Sequence, residues 1–156
     1  MKRQRKKYET PTRPWDKERL ERERELVTKY GLTKKKEIWR VEAELRKIRR
    51  LARELAAKKD KEKEKILVQK LVRLGLLPEN ATLDDVLGLN VENLLERRLQ
   101  TLIVKKGFAY TLKQARQFIV HGKVKIGERR IIFPSYIVPK NEEDKIQVLI
   151  LLPKKE

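Results

Sequence analysis

The sequence predicts an α+β protein: an extended basic arm and a helical region, then two short helices packed on a small, mostly antiparallel sheet. Three observations point there. Apolar residues between 38 and 56 recur every three or four positions, the period of one helix face. Between 94 and 119 two shorter stripes each begin at a capping residue and stop at a glycine. From 124 onward the pattern changes to alternation, interrupted at Pro134 and Pro139.

Residues 1–14, MKRQRKKYETPTRP, place five bases in the first seven positions and prolines at 11 and 14. Such a segment cannot bury a core and is expected to be disordered when free, ordering against phosphates. Asp16 then caps a helix, with Trp15 packing on Leu20 as a hydrophobic staple and Gly31 closing the end. Glu18–Arg22 and Glu25–Lys29 are favourable i,i+4 pairs on its solvated face. Thr33 is the expected cap of the next helix, whose stripe is Ile38, Val41, Leu45, Ile48, Ala52, Leu55 and Ala56, with Trp39 as a packing anchor. The run KKDKEKEK (58–65) reads as an exposed helical stretch or loop. Ile66, Leu67, Leu71, Val72 and Leu74 resume an apolar face that ends at Gly75 and Pro78.

Residues 76–92 contain Glu79, Asp84, Asp85 and Glu92 and no base. Thr82 to Asp85 form a capping-box start before Val86 and Leu87. Asn90 is expected to cap a single helix through Leu94, Leu95, Leu99, Leu102 and Ile103, closed by Gly107, with Arg97, Thr101 and Lys105 on one face. Thr111 and Gln114 make a second capping box. Its helix buries Ala115, Phe118 and Ile119, exposes Lys113, Arg116 and Gln117, and ends at His121-Gly122. Strands are expected around Val124–Ile126, 131–133, 136–138 and 146–150, with Gly127 at a turn.

The charge is large and segregated. The chain of 156 residues has 41 Lys and Arg against 23 Asp and Glu, net +18. Residues 1–75 hold 27 bases and 13 acids, and residues 93–140 hold eleven bases and two acids, with the acidic stretch between. Clustered positive charge of this kind is the electrostatic footprint of a nucleic-acid binder. There is no cysteine, which excludes disulfides and thiolate zinc sites. The longest apolar runs, such as VLILL at 148–152, are too short to cross a bilayer, and no apolar stretch follows the N-terminal charges; a cytosolic protein without membrane contact is expected. No phosphate-cradling glycine loop, metal-ligand cluster or nucleophile triad is present, so no enzyme, cofactor or metal is expected.

The pattern Arg97-Arg98-Leu99, Lys105, Gly107, Thr111 through Gly127, Pro134-Ser135-Tyr136 and Glu143 through Ile146 resembles the S4 RNA-binding domain. The opening KRQRKKYETPTRPWDKERLERERELVTKYGL, with LERRLQTLIVKKGFA and QARQFIVHGKVKIG, extends the likeness to the archaeal and eukaryotic family of small-subunit ribosomal protein S4, called S9 in eukaryotes. Some bacterial members carry zinc-binding cysteines; with none here, no metal is carried over. Gly122-Lys123 stands where many members have Gly-His, which keeps the charge and loses the imidazole. Lys125-Ile126-Gly127 stands where many have Val-Asn-Gly, which keeps the turn glycine and loses the asparagine.

The resemblance implies a basic disordered arm (1–14), a helical rRNA-binding region (15–92), an S4 domain (93–152) and a tail (153–156). It implies binding of 16S ribosomal RNA in the 5′ domain at a multi-helix junction, nucleation of subunit assembly and support of translation accuracy in the cytoplasmic small subunit. Neighbouring ribosomal proteins, S5 especially, and messenger RNA where it enters the subunit are the implied partners. The alternative is an S4-domain RNA-modification or ribosome-rescue factor. The candidate RNA contacts are Lys2, Arg3, Arg5, Lys6, Lys7, Tyr8, Arg46, Arg49, Arg50 and Arg53 in the first block. In the second they are Arg97, Arg98, Lys105, Lys106, Thr111, Lys113, Gln114, Arg116, Gln117, His121, Lys123, Lys125, Arg129 and Arg130. The cations suit phosphates, and Tyr8, inside the arm, suits base stacking. Thr111, Gln114 and Gln117 lie near a helix N-terminus; Thr111 either contacts phosphate there or only caps the helix. His121 makes a helix-end or RNA-facing hydrogen bond, or simply packs. Arg97, Arg98 and Arg116 are expected to form one phosphate clamp.

Overall fold

The structure is a computed structural model and describes residues 6–149. Helix α1 (Lys17–Tyr30) starts where Asp16 accepts a hydrogen bond from the Arg19 amide at 3.4 Å and ends at Gly31 in the left-handed region. The staple does not form, because Trp15 is 89% exposed. Arg19 anchors the preceding chain instead, donating to the carbonyls of Arg13 and Pro14 at 3.0 and 2.9 Å. Helix α2 (Lys35–Lys58) buries Ile38, Val41, Leu45, Ala52 and Leu55, while Ile48 is half-buried and Ala56 lies outside the core. Its N-cap is Lys34, one residue later than expected; the Thr33 hydroxyl donates to Glu37 at 2.9 Å rather than capping.

Lys59, at φ 52°, turns the chain sharply, and Asp60 caps α3 (Lys61–Arg73). Ile66 is 64% exposed, so the resumed apolar face runs through Leu67, Leu71 and Val72. Thr82 and Asp85 form the expected capping box of α4 (Leu83–Gly88), and Asn90 with Asn93 forms another for α5 (Val91–Glu96). These helices close a first core around Tyr30, Ile38, Leu45, Leu71, Val86, Leu94 and Leu95.

The single helix expected from Asn90 to Gly107 is broken. Arg98 is extended (φ −70°, ψ 143°) and begins a separate helix, α6 (Leu99–Lys105). The break has a distant cause. The Leu99 amide donates to the Tyr136 carbonyl at 2.8 Å and the Val138 amide to the Arg97 carbonyl at 3.0 Å, with Arg98 bridged to Ile137. The chain turns out of helix to pair with this segment and enters a second core.

Helix α7 (Leu112–Val120) is capped by Thr111, which accepts from the Gln114 amide at 3.2 Å. Gln114 reaches back to the Tyr110 amide instead of completing the box at Thr111. Strands β1 (Val124–Ile126), β2 (Arg129–Arg130) and, after the short α8 (Lys140–Glu143), β3 (Ile146–Val148) form an antiparallel sheet in the order β2-β1-β3. Val124 pairs with Val148, and Lys125 with both Gln147 and Arg130. The second core gathers Leu99, Ile103, Ala115, Ile119, Val124 and Val138, so the α+β expectation holds for α6 and α7 on this sheet. Residues 131–133 and 136–138 are not sheet strands: a turn at Pro134-Ser135 separates them, and the backbone of Tyr136 and Val138 serves the Arg97–Leu99 break. Residue 150 of the last expected strand, the VLILL run beyond 149, and the tail lie outside the described residues.

The two cores meet tightly at Gly31. It sits at φ +58°, and a Cβ there would lie 2.6 Å from Leu112 Cβ and 3.2 Å from Gln100 Nε2. Gly107, at φ +76°, faces open space. A left-handed alanine costs roughly 1–2 kcal/mol in backbone strain alone. Chemical denaturation is therefore expected to show Gly107→Ala losing about that much, and Gly31→Ala losing clearly more because the seam must also open.

Candidate nucleic-acid interface

Charged and polar side chains join the two cores. Glu37 of α2 accepts from Arg98 Nη2 at 2.6 Å and from Arg116 Nη2 at 3.0 Å. Gln100 of α6 donates to the carbonyls of Gly31 and Leu112 at 3.1 and 3.0 Å. Arg97 lies against Gly75 and donates to the Leu74 and Val138 carbonyls at 3.1 and 2.7 Å and to Glu143 at 2.8 Å. Arg97, Arg98 and Arg116, expected to form one phosphate clamp, are thus each engaged within the protein. Arg98 is 3% exposed, Arg97 and Arg116 are half-buried, and all three tie the fold together. The shared face expected for Arg97, Thr101 and Lys105 is lost with the helix break, and Thr101 is buried, donating to the Leu95 carbonyl at 2.9 Å.

Burial pushes the Glu37 carboxyl up, but hydrogen bonds from Arg116 and Arg98, the Arg98 charge and the Thr33 hydroxyl outweigh it and hold the pKa at about 2. Glu37 does not satisfy Arg98 completely. Among the described residues, Arg98 Nε and Nη1 are buried and have no hydrogen-bond partner.

The other candidates divide by what they touch. Lys6, Lys7, Arg53, Lys113, Gln117 and Lys123 are exposed, with no ion pair among the described residues. Lys125 is half-buried in β1, and His121 lies exposed at the end of α7. Arg46 pairs with Glu9 at 2.6 Å, Arg50 with Glu54 at 3.3 Å, Lys105 with Glu96 at 3.0 Å and Arg129 with Glu142 at 2.5 Å. Each of these four bases is largely exposed, and such pairs contribute little stability and exchange readily for phosphate. Lys106 donates to the Glu143 carbonyl at 2.5 Å, Arg49 to that of Leu89 at 2.5 Å and Arg130 to that of Gly122 at 2.6 Å. Thr111 and Gln114 are engaged as caps. Tyr8 packs on Trp39 with ring centroids 5.9 Å apart and has Lys36 Nζ 6.0 Å above it, which makes it a packing residue here. Trp39 in turn donates to the buried Glu23 at 2.9 Å. Lys2, Arg3 and Arg5 lie outside the described residues.

The structure adds residues that the sequence reading missed. A groove of about 490 Å³ runs between the start of α2 and the Pro134-Ser135 turn, lined by Lys34, Lys36, Glu37, Arg40, Arg98 and Arg116. A second groove of about 650 Å³ shares Glu37, Arg40, Arg98 and Ser135 and adds Lys7 and Lys47. The sequence carried one signal for it. Lys34-Lys35-Lys36 opens a helix, where positive charge opposes the helix dipole and ordinarily destabilises. Basic residues in that position suit an anion outside the protein. Among the described residues there is no cluster of potential metal ligands, and no helix is long and apolar enough to cross a membrane.

Comparison with known proteins divides the chain at the helix break. The family model described as the Ribosomal protein S4/S9 N-terminal domain matches residues 2–96, and that of the S4 domain matches residues 97–144. The chain is 52% identical over 149 residues to the small ribosomal subunit protein uS4 of Picrophilus torridus, covering 92% of this chain and 81% of that protein. It is 50% identical over 159 residues to the uS4 protein of Sulfurisphaera tokodaii, covering 99% and 90%. It is 51% identical to that of Nanoarchaeum equitans, covering 98% and 88%.

The charge junction at Glu37 sets an acid limit. Its pKa falls from an ordinary 4.5 to about 2 on folding, so its contribution is complete above pH 4.5 and is lost as the pH falls through about 2. A shift of that size corresponds to roughly 3 kcal/mol. Denaturation measured from pH 6 to pH 2 is expected to show this loss in the parent chain, while Glu37→Gln is less stable near neutrality and flatter below pH 4.5.

Proposed function

Since the chain belongs to the uS4 family of small-subunit ribosomal proteins, of the type found in archaea, we propose that it binds 16S ribosomal RNA in the 5′ domain at a multi-helix junction. There it nucleates subunit assembly and supports the accuracy of translation. It is a ribosomal constituent and not an enzyme. The observation that carries the RNA-binding reading is the convergence of the two basic blocks: cations of α2 and of the α6–α7 unit line two grooves that share Arg40 and Arg98.

The mechanism is electrostatic clamping of RNA by two rigidly joined cores. Counterions released from the RNA provide most of the affinity, and folded RNA is recognised through its shape and backbone. The arm (1–14) and helical region (15–92) form one side of the clamp, and the S4 domain (93–152) forms the other. Lys6, Lys7, Arg53, Lys113, Lys123 and Lys125 make the outer phosphate contacts, with Gln117 and His121 beside them. Arg46, Arg50, Lys105 and Arg129 join when their surface partners give way. Lys2, Arg3 and Arg5, outside the described residues, are further proposed phosphate contacts. Neighbouring proteins, S5 especially, and messenger RNA entering the subunit complete the proposed surroundings. The modification-enzyme reading wants a catalytic unit ahead of the S4 domain, and residues 2–96 match a ribosomal domain instead.

Crosslinking of the purified chain to total cellular RNA, followed by sequencing, tests this role. Sites clustered at a helix junction of the small-subunit 5′ domain are expected; crosslinks chiefly to transfer RNA or large-subunit RNA would favour the rescue or modification reading. On the protein side, Lys113→Ala with Lys123→Ala is expected to leave stability unchanged and flatten the salt dependence of RNA binding. The expected change is roughly 0.7–0.9 log units per lost contact. An unaltered slope removes these lysines from the interface.

A further inference from the structure

We infer that the groove between the two cores is a seat for one phosphate group of the RNA backbone, held from its wall by Arg98 and from its rim by Lys36 and Arg40. The inference rests on the RNA-binding reading above and adds to it a discrete site and its donors.

Three independent features converge there. The groove of about 490 Å³ is lined by five cations, Lys34, Lys36, Arg40, Arg98 and Arg116, against one carboxylate, Glu37. Even with Glu37 ionised, the seat is strongly positive. Arg98 is a guanidinium built into the wall: it is 3% exposed, and it lines both grooves. Its Nη2 is bound to Glu37, while Nε and Nη1 have no partner among the described residues. Idle donors on a buried cation are costly, and a second anionic acceptor beside Glu37 relieves that cost. Finally, the groove receives the N-terminus of the 24-residue α2, whose N-cap residue, Lys34, makes no capping hydrogen bond through its side chain. Its dipole and amide groups favour an anion at that end. Of the three lysines at this end, Lys35 is paired with Glu23 at 3.1 Å, and Lys34 and Lys36 are left lining the groove.

A phosphate group fits this arrangement better than a second carboxylate. It presents several acceptor oxygens in different directions, so one can take up an Arg98 donor while others meet Arg40 and Lys36. Glu37 keeps its hold on Arg98 Nη2 and Arg116, so binding does not require the cores to separate. A phosphate so placed contacts residues from both cores at once, and it tightens the junction as it binds.

The test reads the Arg98 Nε–H resonance in the full chain labelled with ¹⁵N-arginine, assigned by through-bond spectra so that no folded variant is required. The chain is titrated with inorganic phosphate against chloride at constant ionic strength, and separately with a 5′-domain fragment of small-subunit ribosomal RNA. A saturable shift with phosphate and with RNA, absent with chloride, is expected. Arg40→Ala should weaken the phosphate response about tenfold, the scale of one charge-assisted hydrogen bond. If the RNA binds and the Arg98 signal stays still, the seat is overturned and the RNA-binding reading stands. If only inorganic phosphate moves the signal, the groove holds a free anion and the assignment to backbone phosphate is overturned. If the RNA does not bind at all, both readings are lost together.

Discussion

The carboxylate of Glu37 is the point on which the two halves of the molecule depend. Each half has a modest hydrophobic core of its own, and the surfaces that face each other are polar. At the centre of the contacts that fix their relative position is one half-buried acid holding two arginines, one at the start of α6 and one on α7. A buried ion pair is weak evidence of net stabilisation, because desolvation offsets most of the Coulomb energy. Its value lies in specificity. Remove the acid and two guanidinium groups are left near one another in a low dielectric, which is a far worse state than the assembled one. The seam also demands close backbone approach, and glycine supplies it at Gly31 against Leu112 and at Gly75 against Arg97.

This arrangement changes how the charge of the chain is to be understood. Lys and Arg number 41, and their excess suggests a surface given over wholly to phosphate. Several of these side chains serve the fold first. Arg97 closes carbonyls of both halves, Arg49 ties α2 to the Leu89 carbonyl and Arg130 fastens β2 to the end of α7. Arginine suits such duty because its donors reach several acceptors at once and it cannot lose its charge. Lysines 34, 36, 113 and 123, compact charges on flexible stems, are left at the surface. The division is physical, since a guanidinium is less strongly hydrated than an ammonium and is cheaper to bury.

Whatever in this fold is local was legible in the sequence. Asp16, Thr82, Asn90 and Thr111 cap helices where their spacing to the next apolar stripe said they would, and the α2 stripe is buried nearly as read. What escaped was set from a distance. Nothing between Asn90 and Gly107 signals a break, because its cause is a pair of backbone hydrogen bonds to residues 136 and 138. The same segment explains why residues 131–138 do not extend the sheet. The site followed this division. Lys113 and Gln117 could be read as exposed from the α7 pattern and Lys123 from the strand alternation, whereas Arg98 and Arg116 could not be read as internal without knowing that Glu37 stood opposite them. Trp15 failed in the other direction, because the staple rule assumes an otherwise unanchored chain and Arg19 had already anchored it.

The same guanidinium can serve fold and ligand together, and this sets the limit on any count of RNA contacts made from sequence. Charge that is already neutralised by a carboxylate within the protein releases no counterion when RNA arrives, so the salt dependence of binding reports fewer contacts than the net charge suggests. Arg98 stands between the two classes: Glu37 takes one of its donors, and the others face the junction unmet. Because hydrogen bonds from Arg116 and Arg98 hold the Glu37 carboxyl well below the usual carboxylate range, the internal pair stays ionised near neutral pH. The groove is therefore shaped before the RNA comes, and its wall does not have to be assembled by the ligand. A protein whose two small cores are aligned by a buried charge, with further positive charge turned outward at the same junction, meets its partner with less conformational freedom to lose, and binding is stronger for that reason.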